Sequence, residues 1–159
     1  MTGTAAPELD VVQWFNTEEK LTLAGLRGRV VVLHAFQMLC PGCVASGLPQ
    51  AKKIAAVFPR NEVVVIGLHS VFEHHEAMTP VSLAAFIHEY RLGFPIGVDR
   101  PGGDGPLPHT MAAYGMRGTP SLVLIDRTGI IRHHAFGAED DLKVGAEIAL
   151  LMAEGRADD

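Results

Sequence analysis

The chain has 159 residues, room for one domain, and a domain of that size buries roughly 70% of its unfolded-chain surface without a metal or disulfide staple. Apolar residues make up 48% and charged residues 19%, and no stretch approaches the roughly 20 apolar residues of a membrane span. Acidic residues outnumber basic ones 18 to 13, a net charge of -5, which argues against a nucleic-acid backbone or an anionic membrane as the main partner.

The first residues, through Asp10, lack the basic and apolar regions of a secretory signal, so the cytoplasm is the expected address, or the periplasm if a leader has been removed. Residues 1–13 read as an N-terminal extension, 14–154 as a single domain and 155–159 as a tail. Val11, Val12, Trp14 and Phe15 open a segment, residues 11–28, that predicts a short strand or hairpin arm covering one side of the domain. Val30–Phe36 is a short apolar run with three adjacent β-branched residues, the pattern of a buried parallel strand. Cys40-Pro41-Gly42-Cys43 follows, and a helix is expected from Cys40 to Val57, kinked by Pro49 and ended by Pro59.

Val63–Leu68 predicts the next strand, followed by a loop carrying Phe72-Glu73-His74-His75-Glu76. Thr79-Pro80 then offers an N-cap and a first-turn proline to a helix over Val81–Leu92, with Leu83, Phe86, Ile87 and Tyr90 on one face. Phe94–Val98 reads as a short strand and Pro101–Pro108 as a loop. That loop has no lysine and no G-x-x-x-x-G-K-[ST] pattern, which removes a phosphate-loop reading. A short helix is expected over Leu107–Tyr114, then a strand pair, Ser121–Asp126 and Ile130–His133, around Arg127-Thr128-Gly129. A terminal helix, Asp140–Glu154, is expected to turn Leu142, Ala146, Ala149 and Leu150 or Ala153 inward. This order predicts an α/β domain with a central, partly parallel sheet.

The two cysteines are the most informative residues. They close too short a loop to act as a staple, and two are too few for a disulfide-framed module. At a strand-to-helix turn the first sulfur meets unpaired helix N–H groups that favour thiolate, and the second lies one turn away. That arrangement suits thiol–disulfide exchange. A zinc site would need further ligands at ligand spacing, and no other cysteine exists; a site built on His74 or His75 is not expected.

The strand Val30–Phe36, the Cys-Pro-Gly-Cys motif and Gly118-Thr119-Pro120 about eighty residues later together resemble the thioredoxin fold. Trp14-Phe15-Asn16, Leu21–Gly28, Phe94-Pro95, Tyr114–Pro120 and Leu124–Gly129 resemble its TlpA-like and redoxin (AhpC/TSA-related) branch, with an extra helix inserted between two strands of the mixed sheet. The resemblance implies that Cys40 attacks, that Cys43 resolves, and that Cys40 and Cys43 form the redox disulfide. It also implies that Pro120 is a cis-proline facing the dithiol, with Thr119, Pro41 and Gly42 lining the substrate site. It implies no cofactor, a disulfide-containing protein or small thiol as substrate, and an upstream reductant such as a thioredoxin or glutathione system.

Three positions depart from the pattern. Leu39 stands where the family usually has Trp, and Pro49 lies one residue further from Cys43 than in thioredoxins, an excess that a helical bulge would absorb. His34, six before Cys40, replaces a buried acid. It reads either as a base for Cys43, kept neutral by burial, or as a core histidine bonded to a backbone carbonyl. His69, Glu73, His74, His75 and Glu76 follow the second strand on the sheet edge that carries the dithiol, where they either rim the site or form a solvated loop. His133-His134 reads as a surface feature.

The expected activity is thiol–disulfide exchange. One alternative is a peroxiredoxin-type peroxidase, for which Thr or Ser three residues and Pro seven residues before Cys40 are missing: Gln37 and Leu33 stand there. Another is a redox-sensing or binding module without catalysis.

Overall fold

The computed structural model describes residues 2–155, so the expected tail, 155–159, lies outside the described residues except for Gly155. Six strands form one mixed sheet in the order β1-β4-β3-β2-β5-β6. They are β1 (Val11–Phe15), β2 (Val30–Phe36), β3 (Val63–His69), β4 (Ile96–Asp99), β5 (Ser121–Ile125) and β6 (Ile131–Phe136). Helices α1 (Leu48–Val57), α2 (Pro80–Tyr90), α3 (His109–Ala113) and α4 (Asp141–Ala153) cover it. This is the thioredoxin-like α/β architecture, and α2 is the inserted helix.

β2 lies at the centre. It runs parallel to β3 and antiparallel to β5, and all seven of its residues are buried. Val30, Val32 and Phe36 face one apolar layer with α1, α2 and α4; Val31, Leu33 and Ala35 face the other, with Leu26, Met111 and Tyr114. Burial on both faces is why this strand is a continuous apolar run.

The segment 11–28 is a strand without a hairpin partner of its own. β1 pairs antiparallel with β4 at the sheet edge. After it Asn16 takes a left-handed backbone (φ 63°) and donates its side-chain amide to the carbonyls of Leu92, at 2.7 Å, and Phe94, at 3.0 Å. The chain is thereby tied to the β4 side and leaves the sheet, and only the single turn Ala24–Leu26 follows before β2.

α2 begins as expected, with Pro80 in the first turn and the Thr79 hydroxyl accepting from Ser82 N–H at 3.2 Å. Leu83 and Ile87 face the core, whereas Phe86 is half-buried and stacks on a largely exposed Tyr90, 4.4 Å between centroids.

The expected inner stripe of α4 is wrong. Val144, Ile148 and Leu151 point inward, while Leu142 is 82% and Leu150 68% exposed. This helix carries apolar residues around most of its circumference, so composition does not select a face. Its start is capped by the Asp140 carboxylate, which accepts from Lys143 N–H at 3.0 Å, and packing into the core beneath the sheet selects the face that carries Val144, Ile148 and Leu151. Ile148→Ala is expected to cost about 2–5 kcal/mol of stability and Leu150→Ala less than about 0.5 kcal/mol, measured by urea unfolding. Equal losses would refute this assignment of faces.

Among the described residues no helix is long and apolar enough to cross a membrane, and no group of three or more His, Cys, Asp or Glu is placed to hold a metal ion.

Two histidines sit in the interior, His34 at 2% and His69 at 1% exposure. Burial lowers both from 6.5 to about 4. A histidine with a depressed native value gains its proton on unfolding, so its contribution is full above pH 6.5 and is lost as pH falls toward 4. The loss between pH 7 and 4.5 should be roughly 2–3 kcal/mol per histidine. Unfolding of His34→Gln and His69→Gln at the two pH values checks this: each variant should lose less stability on acidification than the parent, by about that amount. An unchanged acid loss would show that neither ring is held neutral.

Candidate active site

β2 ends at Phe36, and the turn Gln37–Leu39 carries the chain to Cys40. A helix starts at Pro41 and continues into α1. Cys43 N–H donates to the Cys40 carbonyl, at 3.1 Å, and to Cys40 Sγ, at 3.2 Å. Cys40 is partly exposed and Cys43 fully buried, both as free thiols. Burial, and then the hydrogen bond with Cys40, push the Cys43 thiol up to about 12; bonds from the Gln37 backbone and Thr119 offset part of this.

The segment before β5 meets the dithiol from across the sheet. Thr119–Pro120 is cis, and the Cys40 thiol donates to the Thr119 carbonyl at 3.4 Å. A Cβ at Gly42 would lie 3.3 Å from Pro120 Cδ, so the first helical turn rests on the proline ring. Thr119, Pro120, Pro41 and Gly42 are thus brought to Cys40 and Cys43. Leu39 beside them is 57% exposed.

The extra residue before Pro49 is absorbed as a π-helical turn over Cys43–Gly47, in which Leu48 N–H bonds to the Cys43 carbonyl. The turn places Gly47 directly over His34. A Cβ there would lie 2.5 Å from His34 Cε1 and Nε2, so only glycine fits. The ring therefore lies beneath Gly47, and among the described residues no hydrogen bond joins it to either cysteine. Its Nδ1 is buried without a partner, not bonded to a backbone carbonyl. Pro120, Gln50 and Glu139 share with it a cavity of about 10 Å³, room for roughly one water.

His69 does not rim the site. It is buried under the turn before Cys40, its Nε2 accepting from Met38 N–H at 3.4 Å and its ring 5.1 Å from that of Phe36. Parallel pairing opposite Phe36 carries it inward. Glu73, His74, His75 and Glu76 occupy an exposed loop. Among the described residues this loop has one bond toward the site, Phe72 N–H to Gln37 Oε1 at 3.1 Å.

Gln37 entered the sequence analysis only as a mismatch to the peroxiredoxin pattern, not as a site residue. It is buried, and its Nε2 donates to Thr119 Oγ1 at 3.4 Å, so one amide links the cysteine turn, the proline segment and the 72–76 loop. Its signal was a polar residue directly after a wholly apolar strand. His133 is likewise no surface feature: it is half-buried between Glu139 and Glu147, with Nε2 to Glu139 Oε1 at 2.5 Å.

A structure of a thioredoxin-like superfamily protein is 63% identical, with a TM-score of 0.93, covering 95% of this chain and 97% of that one. A thiol-disulfide isomerase from Corynebacterium glutamicum is 49% identical, with a TM-score of 0.88, covering 94% and 97%. Protein DipZ of Mycobacterium bovis and of Mycobacterium tuberculosis is 28% identical over 140 residues, 87% of this chain but 19% of each relative. The chain thus spans about one fifth of the length of those curated relatives. Its nearly complete match to the first two structures is consistent with a thiol-disulfide oxidoreductase-like fold. The AhpC/TSA family model matches residues 2–134, and the chain belongs to that family.

Proposed function

We propose that this protein is a thiol–disulfide oxidoreductase acting on disulfide-containing proteins, with Cys40 attacking and Cys43 resolving. The observation that supports it best is the asymmetry of the pair: Cys40 is accessible and next to the Thr119 carbonyl, whereas Cys43 is buried with its N–H on Cys40 Sγ. Cys40 as thiolate attacks one substrate sulfur, the substrate S–S bond breaks, and the leaving thiolate takes a proton from solvent. Cys43 as thiolate then attacks Cys40 Sγ, breaking the mixed disulfide. The substrate leaves as a dithiol and the protein retains the electron-poor Cys40–Cys43 disulfide. The reverse sequence oxidises a dithiol, and the reduction potential sets the direction.

The second step must remove a proton from Cys43. Its thiol is held up partly by the bond with Cys40, which is lost once Cys40 Sγ is in a mixed disulfide. A full transfer to His34 from the resting dithiol would run strongly uphill, because burial raises the Cys43 thiol and lowers the His34 imidazole. His34 therefore acts only as the Cys43–Cys40 bond forms, as a neutral acceptor.

Insulin-disulfide reduction with a chemical reductant should be lost in Cys40→Ser, and Cys43→Ser should accumulate the mixed disulfide. Trapping by Cys40→Ser instead would reverse the roles, and hydrogen-peroxide consumption without insulin reduction would favour a peroxidase. At pH 7 a thiol near 12 is ionised to about one part in 10⁵, so iodoacetamide should label Cys40 long before Cys43. For His34→Ala, single-turnover kinetics should show release from the mixed disulfide slowed by about 10²-fold or more, with the initial attack unchanged. An unaltered release rate and pH profile would leave His34 a packing residue.

A further inference from the structure

A second candidate site lies at the opposite end of β3 from the dithiol. β4 pairs with β3 only from Gly67 to His69, so Val63–Ile66 have no strand partner on that side. The polarity of this edge follows from two bonds. Val30 N–H bonds to the Glu62 carbonyl, so residue 62, and by alternation 64 and 66, turn their backbone groups toward β2. Gly67 N–H bonds to the Pro95 carbonyl, so Gly67, and with it Val65 and Val63, turn theirs toward β4. Val63 N–H is used by the Pro59 carbonyl. Val65 N–H and C=O and the Val63 C=O therefore face a cleft. Pro95, without an N–H, and the turn through Arg91, at φ 55°, carry the opposite wall away.

That cleft measures about 310 Å³. Ala55, Ala56 and Val63–Val65 supply apolar walls, Lys52, Arg60 and Arg91 surround it, and no acidic residue lines it. Among the described residues neither Arg60 nor Arg91 has an ion-pair partner, and Lys52 Nζ donates only to the Tyr90 carbonyl, at 3.1 Å. A concentration of unpaired cations on a chain of net charge -5 stands against the general field of the molecule.

We propose that this edge binds a short, extended acidic peptide segment by strand addition. The ligand would take main-chain bonds from Val65, lay small apolar side chains on the valine and alanine walls, and present carboxylates to Arg60, Arg91 and Lys52. The inference is independent of the dithiol. Its opposite is that the cations merely keep the free edge from pairing, as charged residues commonly do at sheet edges.

The probe is a blocked pentapeptide of alternating glutamate and valine, whose strand period places all its carboxylates on one face, titrated into the ¹⁵N-labelled full chain. Saturable shifts should appear at the amides of Val64, Val65 and Gly93. The double variant Arg60→Ser/Arg91→Gly, which keeps the left-handed backbone at position 91 accessible, should weaken binding about tenfold. Lysine in place of glutamate, or proline in place of the central residue, should abolish it. Absence of saturable shifts at millimolar peptide would show an edge that only repels partners. Equal binding of the proline peptide, or of glutarate alone at the same amides, would overturn strand addition in favour of a simple anion site. Unfolding of the double variant at the parental midpoint would exclude misfolding as the cause of lost binding.

Discussion

The double pairing of β2 is the constraint from which the candidate site follows. Parallel to β3 and antiparallel to β5, with both faces buried, this strand cannot shift register without moving a whole apolar face into the wrong layer. Its C-terminal end fixes where Cys40 emerges, and its pairing with β5 fixes where Thr119–Pro120 arrives. Residues about eighty positions apart in the chain meet at 3.4 Å because the β2–β5 ladder brings the start of β5 beside the end of β2. The buried Gln37 amide locks the same junction at side-chain level.

Polar groups at the site are few and each is handled differently. Cys43 is buried but bonded to its partner thiol, Gln37 is satisfied on both sides, and His69 accepts from Met38 N–H. His34 is the exception, with Nδ1 buried and unpaired in a cavity shared with Glu139. An orphaned buried nitrogen is costly unless it serves a purpose or meets a water. The π-helical turn and Gly47 are what make room for the imidazole: a residue with a side chain at position 47 would occupy the volume of the ring.

Membership of the AhpC/TSA family and likeness to a thiol-disulfide isomerase place the chain among thiol–disulfide oxidoreductase-like proteins. The charge distribution adds a second theme. The free edge of β3 collects cations at the end of the sheet away from the thiols, so two surfaces of different chemistry lie at opposite ends of the parallel β2–β3 pair.

The elements that the sequence alone determined are those whose pattern is local. Val30–Phe36 carries the pattern of a buried strand, Thr79-Pro80 that of a helix start, and the spacing from Cys43 to Pro49, counted against thioredoxins, pointed to a helical bulge. The cysteine pair was legible as a candidate redox site from its spacing after a strand, and Thr119-Pro120 only through the resemblance to the thioredoxin fold. Tertiary structure decided what depends on partners distant in sequence. It chose the inner face of α4, whose apolar residues surround the helix. It buried His69, whose position opposite Phe36 follows from register, and it made Gln37 the link between three segments. It also set His34 beneath Gly47. In each case the deciding quantity was the volume and hydrogen-bonding capacity of a neighbour brought in by sheet pairing or helix phase, which the local order of residues does not encode.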